Sequence, residues 1–300
     1  MRLAKVLGVI GRTLITSGVL ILLFVAYQLW GTGIRESQAQ SRLEDQFTEA
    51  LDAAPASTST SAPPDTSTTT LPVTTTSLAP VEPVAEGDPA ARIRIPRIGV
   101  DKIVVEGVSL GDLKKGPGHY PTTPLPGQQG NAAIAGHRTT YGAPFNRIDE
   151  LAVGDEIFVE TVQGSFRYVV SAQQIVAPTQ VDVLDDKGDS RLTLTACHPK
   201  YSARQRIVVV AQLAPDEVAL PRPARPATAA PPALDSIDGA GAPALPAIVL
   251  GFGCAAIWLL AWLLGRRWRK WPAYGIGLPF FLVGLFYFFE EFSRLLPSNF

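Results

Sequence analysis

The chain has 300 residues and a formal net charge of −1, so no global positive field recruits nucleic acid, and no nucleic-acid partner is expected. Two cysteines and three histidines are too few for a disulfide framework or a structural zinc site, and no metal or cofactor is expected. Membrane-like and linker-like stretches leave roughly 120 residues to fold, a common single-domain size.

Residues 1–36 read as a short cytoplasmic tail and a membrane span. From Leu7 to Trp30 the only charge is Arg12, and the run is long enough to cross ~30 Å of hydrocarbon. Arg2, Lys5 and Arg12 come first, and Glu36, Glu44 and Asp45 follow, which predicts a cytoplasmic N-terminus. A cleaved signal peptide is the alternative; the run is long for one, and no small-residue cleavage site precedes the polar segment. Residues 37–89 read as a Ser/Thr/Pro-rich disordered linker, although residues 37–48 carry spacings that would extend the first helix. A flexible coil of about 50 residues spans roughly 40 Å, which would let the following domain stand off the membrane.

Residues 90–213 carry period-two strand patterns near 91–95, 102–106, 131–135, 156–161, 165–177, 191–196 and 207–213, with helical turns at 109–115 and 144–151. Seven or eight strands at this density predict a mainly β domain; periodicity alone permits a barrel or a sandwich. A Pro/Ala-rich linker over 214–244 leads to a second apolar run, 245–264, and a basic loop, 265–270. Residues 271–300 read as a third span and tail; Pro272 and Pro279 leave a re-entrant or interfacial helix as the alternative. The cations at 266, 267, 269 and 270 should stay cytoplasmic, so the second span runs inward and the third outward.

Three residues carry candidate chemistry. Cys197 ends an alternating strand and Arg206 begins the next one, so a thiol faces a guanidinium. His137 closes a third apolar run in Gly136-His-Arg138. A thiol is mostly protonated at pH 7 and needs a base, an imidazole near it can serve as acid and base, and an arginine can hold an oxyanion. His119 and His198 compete for the imidazole role; His198 adjoins the thiol in sequence and therefore points to the opposite face of a strand. Arg204 competes with Arg206. Cys254 lies mid-membrane among small residues and reads as packing. Asp182, Asp185, Asp186 and Asp189 lack calcium-loop spacing and read as turn residues.

The segments Gly116-Pro-Gly-His-Tyr-Pro-Thr-Thr123, Ala135-Gly-His-Arg-Thr-Thr-Tyr-Gly-Ala-Pro-Phe145 and Thr193-Leu-Thr-Ala-Cys-His-Pro-Lys-Tyr201, with Arg206-Ile-Val, resemble sortases, and class E sortases in particular. The resemblance covers roughly 91 to 213. It implies a closed seven- or eight-stranded sortase-like β-barrel with short helices, flanked by transmembrane helices. It also implies a cysteine transpeptidase that cleaves Leu-Ala-x-Thr-Gly or Leu-Pro-x-Thr-Gly signals between Thr and Gly through a thioester on Cys197. His137 and Arg206 would complete the catalytic set, and Tyr120 and Thr195 would contact substrate. Partners implied are surface proteins bearing C-terminal sorting signals and an amine of a lipid II-type peptidoglycan precursor or of a pilin. The enzyme would sit in the cell membrane as a multi-pass protein with its catalytic domain outside. A membrane-anchored cysteine peptidase and a non-catalytic envelope scaffold are the alternatives.

Overall fold

The structure, a computed structural model, describes residues 2–54, 84–222, 244–267 and 270–293. Eight strands form a closed barrel: β1 (Pro89–Ile95), β2 (Val100–Glu106), β3 (Gly118–His119), β4 (Gly130–Ala135), β5 (Glu156–Thr161), β6 (Gly164–Val176), β7 (Ser190–His198) and β8 (Gln205–Leu213). Their order around the barrel is β1-β2-β3-β4-β7-β8-β6-β5, and β5 pairs back onto β1. The β2–β3 and β4–β7 pairs are parallel and the rest antiparallel. The expected barrel is therefore borne out, and closure removes the sheet edges that a sandwich would leave.

Strand parity sorts the side chains. Ile93, Ile95, Ile134, Ile157, Leu192, Leu194, Ile207 and Val209 share the barrel interior with Phe145 and Ile148. The opposite faces of β4, β7 and β8 are covered too, because Tyr120, Ala133, Ala135, Val183, Leu184 and Val208 form a second cluster outside the barrel. This second layer explains why β4 reads as a continuous apolar run, and it builds the wall on which the reactive side chains stand.

The expected helical turn at 109–115 is α3 (Leu110–Leu113), capped by Ser109, whose Oγ accepts from the Asp112 amide at 3.3 Å. The turn expected at 144–151 narrows to a 3-10 turn at Ile148–Glu150, and a further one, not foreseen, covers Val181–Leu184.

On the N-terminal side, α1 (Arg2–Ala26) continues through a π-helical turn (Tyr27–Gly31) into α2 (Thr32–Ala53). Helix thus replaces the first third of the expected 37–89 linker, and α2 is docked onto the barrel. Leu43 and Phe47 pack with Ile103 and Val105 of β2. Gln40 receives the Ile103 amide at 2.8 Å and gives its own amide to the Ile103 and Lys115 carbonyls. A domain clamped this way does not stand off on a coil; residues 55–83 connect the far end of α2 to the barrel, and that part of the linker lies outside the described residues. Beyond β8 the first residues of the second expected linker still pair with the domain, since Leu220 exchanges backbone hydrogen bonds with Gly127 and Gln129 at 2.8 and 2.9 Å. Residues 223–243 lie outside the described residues.

Among the described residues, three helices are long and apolar enough to cross a membrane, over Val6–Ala26, Leu245–Arg267 and Tyr274–Ser293. The last two belong to α4 (Leu245–Arg267) and α5 (Lys270–Ser293). They approach closely where Gly277 faces Ala261 and Gly284 faces Cys254, so Cys254 is indeed a packing residue. The end of α5 returns to the first helix: Arg35 pairs with Glu290, and Tyr27 packs against Phe286 and Phe289.

Candidate active site

Register places the reactive residues. In the antiparallel β7–β8 pair Cys197 stands directly opposite Arg206. In the parallel β4–β7 pair Ala135 stands opposite Thr195, so His137 and Cys197 each follow two residues after matched positions on neighbouring strands. Thr193, Thr195 and Cys197 share one face of β7 by the period of two, and Leu192, Leu194, Ala196 and His198 share the other. Cys197 therefore belongs to the outer layer, whereas His198 has the parity of the interior residues, as its sequence position predicted.

Arg206 is 3 % exposed and its Nη1 donates to the Ala203 and Gln205 carbonyls at 2.8 and 3.2 Å. The turn before β8 thus fixes one arm of the guanidinium beside the thiol. Arg204 is exposed and precedes the strand. His119 is occupied elsewhere: its Nδ1 lies 2.6 Å from Glu106 Oε2, and its Nε2 lies 2.9 Å from the Pro124 carbonyl and 3.1 Å from Thr123 Oγ1. A fully bonded imidazole at 1 % exposure is a structural bracket for the loop that carries Tyr120.

His137 differs from His119. Its Nε2 is buried and has no hydrogen-bond partner, and its ring leans on Tyr141 with centroids 5.3 Å apart. Burial, joined by repulsion from Lys114, pushes its pKa down to about 4, so the resting imidazole is neutral at pH 7. A neutral imidazole with an uncommitted nitrogen can accept a proton from a thiol.

Tyr120 and Thr195, expected to contact substrate, meet each other. The Tyr120 hydroxyl lies 3.2 Å from Thr195 Oγ1, with the two residues 1 % and 2 % exposed. Desolvation raises the phenol pKa, while Arg206 lowers it and Cys197 raises it, so all three residues share one electrostatic neighbourhood. The pair forms the floor one side-chain step beneath Cys197. No cluster of three or more metal-ligating side chains exists among the described residues.

Residues 93–214 match the sortase domain family. A 220-residue stretch is 35 % identical to the sortase SrtE1 of Streptomyces coelicolor, covering 67 % of this chain and 55 % of that protein. The chain belongs to the sortase family. A second sortase of that organism, SrtE2, is 28 % identical over 70 % of this chain and 83 % of its own length. The solved sortase E of Streptomyces avermitilis is 39 % identical over 43 % of this chain and 90 % of that one, with a TM-score of 0.40. The class E likeness of the sequence segments is borne out by SrtE1 and SrtE2, and the chain spans just over half the length of SrtE1. Sortases are cysteine transpeptidases.

One residue beside the site escaped the sequence reading. Arg138 is 3 % exposed, donates to Asp149 at 2.7 Å and to the Asn146 carbonyl at 3.4 Å, and reaches the Cys197 carbonyl at 3.5 Å. It ties the backbone of the thiol to the loop after His137. Its adjacency to His137 was the available signal, but partners 8, 11 and 59 residues away are supplied only by the fold.

Proposed function

We propose that this protein is a membrane-anchored cysteine transpeptidase acting on C-terminal sorting signals of the Leu-Ala-x-Thr-Gly or Leu-Pro-x-Thr-Gly type. The observation that carries the reading is the cross-strand pairing of Cys197 with Arg206, with His137 leaving the adjacent strand at the same level. Cys197 attacks the threonine carbonyl, and its proton passes to neutral His137. Arg206 steadies the oxyanion. The imidazolium then protonates the departing glycine amine as the carbon–nitrogen bond breaks, leaving a thioester. An incoming amine, from a cell-wall precursor or a pilin, gives a proton back to His137, displaces the thiolate and forms the new amide bond.

The same reading places residues 37–244 outside the cell and residues 265–270 inside. Support comes from the basic residues at both cytoplasmic segments and from the Arg35–Glu290 pair, which brings the end of α5 to the level where α1 passes into α2. The test is incubation of the full chain in detergent with both peptides, with and without glycine-type and diaminopimelate-type amines, and identification of products by mass. Amine-linked product supports transpeptidation, hydrolysis alone indicates a peptidase, and uncleaved peptide refutes both.

A further inference from the structure

Three successive residues after the candidate base, Tyr141, Gly142 and Ala143, have φ of 50°, 71° and 43°. Left-handed backbone disfavours side chains with a Cβ, so such a run persists only where its surroundings impose it. Part of what imposes it is α2. The Tyr141 amide donates to Thr32 Oγ1 at 3.2 Å, and Thr32 Oγ1 spends its own proton on the Gln28 carbonyl at 2.9 Å. The Glu36 carboxylate, 2 % exposed, lies against Gly142 so closely that a Cβ there would overlap it, and Lys102 of β2 neutralises it at 2.6 Å. On the other side, the Tyr141 ring rests on His137 with a 38° tilt, and Lys114 Nζ stands 5.5 Å from the centre of the same ring.

A continuous line of contacts therefore runs from Gln28 through Thr32 and Tyr141 to His137. Thr32 lies six residues past Ala26, where the first apolar span ends, about 9 Å at 1.5 Å per residue. We propose that Thr32 and Glu36 latch the 140–143 loop so that the Tyr141 ring holds the His137 imidazole in place. Tyr141 is a positioning residue for the acid–base group, and the membrane anchor is a working part of the active site. The inference rests on the reading of His137 given above. Tyr141 acts on the imidazole and not on the bound peptide, so its loss changes turnover more than binding.

The test uses the full chain in detergent, with Leu-Ala-x-Thr-Gly peptide varied at saturating amine. Tyr141→Ala should lower kcat by ~10-fold or more with the peptide KM unchanged, the scale expected when an acid–base group loses its alignment. Tyr141→Phe, which keeps the ring, should restore kcat. Thr32→Val combined with Glu36→Ala should lower kcat in the same way, and adding this pair to Tyr141→Ala should cost nothing more, because both act through one ring. A raised KM at unchanged kcat would make Tyr141 a substrate wall and overturn the proposal, as would additive losses. Hydrogen exchange decides the latch independently of turnover: the Tyr141 amide should exchange faster in the Thr32/Glu36 variant while β7 amides keep their protection, and an unchanged Tyr141 amide refutes the latch. If the wild type turns over neither peptide, the reaction is wrong and the exchange result still decides the loop.

Discussion

Phe47→Ala tests whether α2 is part of the catalytic domain. Phe47 is 2 % exposed and shares a small cluster with Leu43, Ile103 and Val105, with Leu51 at its margin. Truncating a buried phenylalanine costs ~3 to 5 kcal/mol, and a cluster this small beneath a single surface helix can partly collapse, which places the expectation near 3. At roughly 2 to 4 °C per kcal/mol for a domain of this size, the midpoint of thermal unfolding should fall by ~6 to 12 °C. The assay is thermal unfolding of the full chain in detergent by circular dichroism. Gln46→Ala, an exposed position on the same helix, serves as control and should move the midpoint by less than ~2 °C. Equal midpoints for the two variants would show that α2 does not bury Phe47, and the docked helix, with the latch built on it, would fall.

Arg206→Ala should lower kcat/KM by ~100-fold or more while Arg204→Ala changes it little, since of these two only Arg206 is buried and stands opposite the thiol; the reverse order would reassign the oxyanion group. The folded His137 imidazole has a pKa near 4 against 6.5 when free, so the stability tied to its neutral form is fully present above pH 6.5. That stability is lost as pH falls through 4, by at most ~3 kcal/mol. Replacing His137 by Gln should remove this part of the acid dependence, and identical pH profiles of unfolding would refute the burial argument. Leu-Ala-x-Thr-Gly should be cleaved ~10- to 100-fold faster than Leu-Pro-x-Thr-Gly, with the ratio shrinking in Tyr120→Ala. An unchanged ratio there would remove Tyr120 from substrate choice.

Much of this was legible because two simple hydropathy patterns carried it. Alternation fixed seven strands and the facing of Cys197 and Arg206, and unbroken apolarity fixed the spans. β3 escaped because two residues, Gly118 and His119, cannot display a period. The docking of α2 escaped for a different reason. Its inward-facing stripe is Thr32, Glu36, Leu43 and Phe47, all buried, with the half-buried Gln40 among them, helical in spacing but polar in three of five positions, so it satisfies β2 by hydrogen bonds and an ion pair as much as by apolar contact. Leu43, Phe47 and Leu51, four residues apart, were the visible trace of it. Tyr120 was readable as a site aromatic, but its bond to Thr195 joins residues 75 apart in the chain and comes only from the closed barrel.

The most direct test of the central claim is mass spectrometry of the full chain after brief exposure to a Leu-Ala-x-Thr-Gly peptide without amine. The account predicts a covalent adduct of the peptide up to its threonine, formed as the glycine-led fragment is released, mapped to Cys197 and absent from Cys197→Ala, which should keep its wild-type unfolding midpoint. Full turnover by Cys197→Ala, or an adduct on any other residue, would contradict it.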